Sequence, residues 1–174
     1  MPGVLSGSDI PTRFTCEFSG PNIAIGKPRY ISSAWQNQNP TPLNDNYWGN
    51  NCELCSNYFH GGWPASGRNW VAVDLGERYA VKAFRMQGKQ GSVSYWNSGL
   101  TFWLGDVEPV SFVPMDTSQW NYCTNYFFNS MEYESGEVPG VTCEVLTFGR
   151  YAAIYGMRLA SEVGVYGVKA SLFA

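Results

Sequence analysis

The sequence predicts an all-β fold, an antiparallel β-sandwich. Apolar and polar residues alternate with a period of two in several short segments, and no stretch of ten or more residues carries a helical pattern. Nineteen glycines and ten prolines interrupt the chain throughout, as they do between short strands. Aromatic residues make up 16% of the 174 residues and charged residues 14%, which favours strands and turns over long helices.

Five segments carry the alternation and are predicted as strands. They cover residues 70–76, 80–87, 100–105, 150–156 and 162–168. In the first, Val71 and Val73 should face one side of the sheet. In the second, strict alternation places Lys82 with Phe84 on one face and Val81 on the other. Short strands at this spacing are typical of a sandwich of antiparallel sheets.

The chain is long enough for one domain with a substantial core. We expect residues 16–174 to form a single β-sandwich domain and residues 1–15 to form an extended N-terminal arm. The stretch from Trp35 to Trp63 is almost strandless and rich in Asn, Pro and Trp. A loop of that length in a compact domain is usually functional.

The charge and the cysteine content indicate which partners and which cellular compartment to expect. A net charge of −3 and an isoelectric point near 5.1 give no basic field for a nucleic-acid backbone, so no nucleic-acid partner is expected. No run of eighteen apolar residues is present, so no membrane-spanning helix is expected. Five cysteines in a chain of this composition favour an oxidising compartment, and the protein is predicted to be secreted. The odd count leaves one thiol free or available for an intermolecular bridge.

The segment NNCELCSNYFHGGW, residues 50–63, holds Cys52 and Cys55 together with His60, the only histidine of the chain. A zinc knuckle would need two further ligands at suitable spacing. A redox pair should open a helix within an α/β pattern, which this sequence lacks. The preferred interpretation is the stapled rim of a binding pocket, in which a bridge pins the loop and presents His60.

Five motifs in order resemble one family. They are NIAIGKP (22–28), WVAVDLG (70–76), FRMQGKQG (84–91), GRYAAIYG (149–156) and SEVGVYG (161–167). Over roughly residues 20–170 the chain resembles the F-type lectins, or fucolectins, within the discoidin-type, galactose-binding-like superfamily that includes the coagulation factor 5/8 C-type domains. The resemblance implies a discoidin-like jelly roll, in which loops at one end form the binding site, and a non-enzymatic lectin domain. It also implies glycans or glycoproteins as partners, with terminal fucose or galactose as the recognised sugar, in cell adhesion or innate recognition.

The same resemblance implies a set of sugar-binding residues. His60 stands where the family has its sugar-binding histidine, and Lys89 stands where it has its first arginine. The second arginine has no counterpart, and Trp96 falls near that position. A sugar also needs an aromatic ring beneath its apolar face, which Trp96 or Trp63 could supply. Arg85 is a further candidate, although a charge on an exposed sheet face is its ordinary role.

A calcium site is implied by two separate segments. In TPLNDNYWGNN (41–51), Asp45 lies between Asn44 and Asn46, at the place of the family's calcium loop. Glu162 corresponds to the family's carboxylate near the C terminus, and Ser161 would contribute its carbonyl oxygen. Calcium prefers such oxygen ligands, and it would tie the loop to the sheet. The alternative is an Asx-rich turn without a metal.

The resemblance also implies disulfide pairings. Cys123 and Cys143 stand where the family bridges two loops just before the GRY motif. The partner of the family's other bridge is replaced here by Ser161. Cys16, on the N-terminal arm, would take its place and pair with Cys52 or Cys55.

Two other function classes are alternatives to the lectin. The first is an extracellular discoidin-type adhesion or matrix module that binds protein or lipid through loop aromatics such as Trp48, Trp63 and Trp96. Membrane contact is expected only in this alternative, and the acidic isoelectric point disfavours binding to anionic membranes. The second, an enzyme, is the weakest, because no compelling catalytic constellation accompanies the single histidine. A shallow sugar site usually gains avidity from several copies, so a homo-oligomer is one expectation.

Overall fold

The computed structural model describes residues 20–32, 43–46, 59–60, 69–87, 99–109, 117–127, 137–157, 159–160 and 162–173. Eight strands lie in these ranges: β1 (Arg29–Ile31), β2 (Phe59–His60), β3 (Trp70–Gln87), β4 (Leu100–Gly105), β5 (Trp120–Tyr126), β6 (Glu137–Tyr155), β7 (Leu159–Ala160) and β8 (Glu162–Lys169). A 3₁₀ helix, Ala170–Phe173, follows β8. No helix among these residues is long and apolar enough to cross a membrane.

All strand pairings between these elements are antiparallel. The main sheet has the order β1-β3-β6-β4-β5, with β8 also pairing with β3, and β2 pairs with β7 separately. The two long strands β3 and β6 run side by side along their whole length. The prediction of an all-β antiparallel fold is confirmed.

The long strands β3 and β6 turn together and divide the sheet into two layers. Their register shifts between the pairs Asp74–Tyr151 and Tyr79–Gly149, where the exposed residues 76–78 of β3 have no partner in β6. On one side of this corner, residues 70–75 and 150–155 continue into β1, β4 and β5. On the other side, residues 79–87 and 137–149 continue into β8. Strands that switch sheets at a corner build a sandwich without a break in the chain.

The apolar core lies between the two layers. The rings of Phe84, from one layer, and Phe102, from the other, have centroids 5.1 Å apart. Val71 and Val73 belong to the same buried cluster, as the alternation predicted. A disulfide between Cys123 in β5 and Cys143 in β6 links the two layers, and it is the pairing that the resemblance implied.

The corner is held by a buried carboxylate from the VDLG motif and an arginine from the GRY motif. The Arg150 guanidinium donates to both Asp74 carboxylate oxygens, each at 2.8 Å, and the Gly76 N–H donates to the same carboxylate at 2.8 Å. The hydrogen bond with Arg150 is the main cause that lowers the pKa of Asp74. Gly76 has a φ of 86°, in the left-handed region that favours glycine. Residues of these two motifs therefore stabilise the corner of the fold.

The sandwich consequently has two different ends. The corner end contains residues 76–78, the start of β5 and the end of β8. At the opposite end, which we call the open end, lie both termini of β3, the end of β6, and the start of β4 and of β8. The register shows this directly, since Gln87 pairs with Glu162 and Trp70 pairs with Tyr155.

The strand predictions were correct in position and incomplete in extent. Residues 70–76 and 80–87 form one continuous strand, and β6 begins at Glu137, well before the predicted 150–156. The strict alternation in 80–87 was wrong: Val81 and Phe84 both enter the core, while Lys82 is exposed. A register shift between Val81 and Ala83 reverses the side-chain parity there. The predicted arm, residues 1–15, lies outside the described residues.

Candidate functional site

The open end is organised around a buried carboxyl group. Glu162, the first residue of β8, is fully buried. Its carboxylate oxygens accept hydrogen bonds from the backbone N–H groups of Asp45, at 3.2 Å, and Asn46, at 3.1 Å. The Val163 N–H donates to the Leu43 carbonyl at 2.6 Å. The loop of residues 43–46 is therefore fastened to the start of β8, more than a hundred residues away in the chain.

The environment of Glu162 opposes its ionisation. Burial is the larger cause, and a hydrogen bond with the Asp45 side chain adds to it; together they raise the pKa of Glu162 to about 8. The Glu162 carboxyl is therefore largely protonated near neutral pH. A cation beside it would favour its ionised form.

Asn44 fixes the other side of this loop. Its side-chain nitrogen donates to the carbonyl oxygens of Ala24 and Lys27, at 2.5 and 2.9 Å, and its side-chain oxygen accepts from Arg29 at 3.2 Å. Its backbone carbonyl accepts from the Gly26 N–H at 2.8 Å. Both oxygens of Asn44 are therefore engaged in holding the loop together. Asn44 positions its neighbours, while Asp45 and Glu162 supply the carboxylates.

These contacts give a direct test of whether the loop suits calcium. Asp45 and Glu162 offer hard oxygen donors at one place, as calcium requires. Asn46 adopts a φ of 68°, and its N–H is directed at Glu162. Within the described ranges no group of three or more His, Cys, Asp or Glu side chains gathers as a metal cluster, so further ligands would have to be backbone or amide oxygens. Ser161 lies outside the described residues. The donors present fit an oxygen-ligated cation.

His60 lies at the same end of the molecule. In the two-stranded β2–β7 pair, the backbone of His60 is opposite Leu159 and Phe59 is opposite Ala160. Because β7 ends two residues before Glu162, this pairing brings the histidine-bearing strand beside the start of β8. This small sheet was not predictable from the sequence, because strands of two residues are too short to show an alternating pattern.

Arg85 occupies a different face. It pairs with Gly164 of β8 and lies on the side of its strand opposite to the core residues Phe84 and Met86. Its guanidinium hydrogen-bonds Tyr166 and thereby counteracts the rise in the Tyr166 pKa that burial causes. Arg85 therefore lies on the face of the sheet opposite to the core, where it contacts Tyr166 of β8.

A second buried network, which the sequence analysis missed, supports the entrance to β3. Asn69 is fully buried, and its side-chain oxygen accepts from the Ser32 hydroxyl at 3.2 Å. The Ser32 hydroxyl also accepts from the Trp70 N–H at 3.0 Å, and the Gly156 N–H donates to the Asn69 carbonyl at 2.8 Å. An Asn directly before an aromatic-led strand was the available signal. This network joins the ends of three strands at the base of the open end.

Several predicted residues fall outside the described part of the chain. They are Lys89, Trp63, Trp96, Ser161, Cys16, Cys52 and Cys55. The chain nevertheless constrains where some of their neighbours lie. Gln87 is at the open end, two residues before Lys89, and Gly99 stands beside the start of β4 there, three residues after Trp96.

Comparison with solved structures identifies molecules of the same fold. The lectin domain of lectinolysin, complexed with Lewis B antigen, is 20% identical with a TM-score of 0.62, over 84% of this chain and 96% of that chain. A fucolectin from striped bass (Morone saxatilis) serum is 15% identical with a TM-score of 0.67, over 86% of this chain and 50% of that chain, so this chain spans about half of it. Chitosan-binding module 1 of a Paenibacillus sp. IK-5 chitosanase/glucanase is 14% identical with a TM-score of 0.57, over 84% of this chain and 99% of that chain.

No family model and no curated protein matches the sequence. At these identities the comparisons establish the fold. The resemblance to F-type lectins that the sequence motifs carried is therefore confirmed as a shared discoidin-like β-sandwich.

Proposed function

We propose that this chain, which shares its fold with fucose-binding lectins and chitosan-binding modules, is a non-catalytic carbohydrate-binding domain whose site is the open end. One observation carries the proposal: the strand register gathers His60, the 43–46 loop and the buried Glu162 at the end where both termini of β3 lie. A rigid sheet that presents side chains from several loops at one end suits recognition of a small polar ligand.

The proposed ligand is a terminal sugar such as fucose or galactose. A sugar offers hydroxyl groups around one apolar face of C–H groups, and its recognition needs a few fixed donors and acceptors plus an aromatic surface. We assign the acceptor role to a neutral His60 and the donor role to the Lys89 ammonium. Trp63 and Trp96 are assigned to the aromatic surface. Since Lys presents one compact donor group where Arg presents a planar fork, Lys89 makes the site less selective.

Calcium is proposed as a structural ion of the same end. Asp45 and Glu162 would hold it through their carboxylates, with Ser161 contributing its carbonyl oxygen and Asn44 keeping the loop in place. When bound, the ion would supply positive charge that keeps the Glu162 carboxyl ionised, and it would stiffen the loop on β8. The buried carboxyl with a pKa of about 8, next to a second carboxyl, supports this assignment.

We further propose that the domain acts outside the cell on glycans or glycoproteins, in adhesion or innate recognition. The disulfide between β5 and β6 supports an oxidising compartment. Weak binding by a single shallow site would require several sites to reach useful avidity.

A glycan array measured with calcium and with EDTA tests the proposal. We expect signal for glycans that end in fucose or galactose, reduced by EDTA and lost in His60→Ala. Arg78→Ala, at the corner end, is the matched control and should leave the affinity for a monovalent sugar unchanged. Absence of any glycan signal from wild-type protein that pellets with phosphatidylcholine vesicles would refute the lectin and favour the adhesion module.

A further inference from the structure

The corner end exposes most of the surface hydrophobic residues of the described chain. In the described ranges as a whole, eight large apolar side chains are exposed. Two of them, Val145 and Leu146, line one cleft at the corner end, and three more lie at the end of β8 and in the 3₁₀ helix that follows it: Val168, Leu172 and Phe173. Monomeric proteins rarely expose several neighbouring apolar side chains, so this cluster marks an interaction surface.

The cleft is the concave part of this surface. It has a volume of about 430 Å³, and residues of β5 and of the 145–148 segment of β6 form its walls. Val145 and Leu146 stand 68% and 45% exposed on one wall, where β6 bulges between its pairings with Ala83 and Val81. On the facing wall the Asn121 amide donates to the Phe148 carbonyl at 3.3 Å and ties the two walls together. The cleft is therefore a fixed feature of the fold.

A convex apolar knob stands directly beside the cleft. Leu172 and Phe173, in the 3₁₀ helix that follows β8, are 73% and 57% exposed. The Phe173 ring meets the edge of the Phe148 ring, which lines the cleft, with centroids 5.7 Å apart. Arg78 covers Phe148 from another side at 5.8 Å. The knob therefore contacts the cleft through the Phe173 and Phe148 rings, and the two lie side by side on the same surface.

Charges of both signs lie around this surface. Arg78 pairs with Asp106 at 3.1 Å, and Lys169 pairs with Glu77 at 2.7 Å. Glu144, next to Val145, hydrogen-bonds the cleft residue Tyr122 and adds a negative charge, so the rim favours neither a nucleic acid nor an anionic membrane. A rim that carries both signs is complementary to a second copy of itself.

We propose that two copies of this chain associate through the corner end about a two-fold axis, with the knob of each copy in the cleft of the other. A two-fold interface requires one self-complementary patch, and a knob beside a matching cleft meets that requirement. The five exposed side chains offer roughly 500 Å² of apolar surface, against about 800 Å² in total that each partner buries in a stable complex. The polar rim supplies the remainder.

Association at the corner end leaves both open ends facing away from the interface. If the open end binds sugars as proposed above, the dimer presents two sites that point in opposite directions, so it can cross-link glycans on two separate molecules or surfaces. The association itself does not depend on that proposed function.

Sedimentation velocity on the full chain, from micromolar to hundreds of micromolar concentration, tests the proposal. Free thiols are first blocked with iodoacetamide, so that an intermolecular disulfide cannot mimic association. We expect a species of twice the 19.4 kDa chain mass. Leu172→Glu on the knob and Val145→Glu in the cleft should each weaken association about tenfold or more, because each places a carboxylate in apolar contact. Phe127→Glu, equally exposed at the open end, is the matched control and should leave association unchanged.

Affinity for a monovalent glycan, measured on the same variants, separates this proposal from the proposed function. Unchanged glycan affinity in monomeric Leu172→Glu supports a surface used only for association. A dimer that binds no glycan would refute the lectin while leaving the interface intact. A wild-type chain that stays monomeric at every concentration would overturn the interface, whether or not it pellets with phosphatidylcholine vesicles. So would a dimer that only Phe127→Glu disrupts.

Discussion

Replacing Glu162 by Gln should change how the stability of the protein depends on pH. In the folded chain the Glu162 carboxyl is fully buried, and its pKa is raised from the ordinary 4.5 to about 8. In the unfolded chain the same group regains its ordinary pKa. Between these two values the folded protein keeps a proton that the unfolded protein has released.

The size and sign of the effect follow from this difference. Because the folded state binds more protons, the free energy of unfolding falls as pH rises, by about 1.4 kcal/mol per pH unit between about 4.5 and 8. The full loss is up to roughly 5 kcal/mol for a shift of that size. Below about pH 4.5 the Glu162 carboxyl is protonated in both the folded and the unfolded state, so none of this stability is lost. Gln has the shape of the protonated acid and does not titrate, so Glu162→Gln removes this part of the pH dependence.

Urea unfolding at a series of pH values in EDTA measures the effect. The wild-type protein should lose stability relative to Glu162→Gln as the pH rises from 5 to 8. Glu77→Gln, which alters an exposed carboxylate at the corner end, is the control and should track the wild type. If calcium binds the ionised Glu162 carboxyl as proposed above, saturating calcium should remove the decline in the wild type alone. Parallel curves for wild type and Glu162→Gln in EDTA would show that the carboxyl ionises normally and would refute the reasoning.

Three further predictions concern the scaffold. Replacing Cys123 and Cys143 together by Ala should lower the free energy of unfolding by about 3 kcal/mol, since the bridge closes a loop with a sequence separation of 20; equal urea midpoints would contradict it. Asp74→Asn should cost about 1–2 kcal/mol at pH 7, and the difference from wild type should shrink on acidification through the lowered pKa of the aspartate; a constant difference down to pH 2 would exclude the ion pair as its cause. Gly149→Ala should cost about 1–3 kcal/mol, because an added Cβ would lie 2.7 Å from a neighbouring backbone nitrogen, whereas Gly20→Ala, with open space around it, should be neutral; similar melting temperatures would show that the strands have room.

The parts of the fold that the sequence predicted are those where burial repeats with a fixed period. Val71 and Val73 enter the core as expected, and β4 begins and ends where its alternation does. The corner was not predictable from the same pattern. A glycine followed by two charged residues is typical of a turn between separate strands, and the sequence does not reveal that Gly76, with its left-handed φ, lies within one continuous strand.

β5 illustrates a second limit. Its sequence, WNYCTNY, mixes polar and aromatic residues, because it is an edge strand with one buried and one largely exposed face. The reversed parity at Lys82 has a related cause. A bulge depends on how a neighbouring strand is paired, and the local sequence carries no record of that pairing.

The candidate site was reached through the resemblance, since its parts are distant in the chain. Asp45 and Glu162 are 117 residues apart, and no periodicity connects them. The structure also separates roles that the sequence could not. Asn44 uses both of its oxygens to hold the loop, and Arg85 lies against Tyr166 on the outer side of its sheet. The buried Asn69 network depends on tertiary packing that appears only when the strands are assembled.

The central claim is that the open end binds a saccharide. The most direct measurement is the ¹⁵N–¹H NMR spectrum of the labelled chain during titration with methyl fucoside and methyl galactoside in calcium. The account predicts shifts that saturate and that cluster at residues 43–46, His60 and the start of β8, with none in the 145–148 segment. Shifts confined to the corner end, or a spectrum unchanged by either sugar, would contradict it.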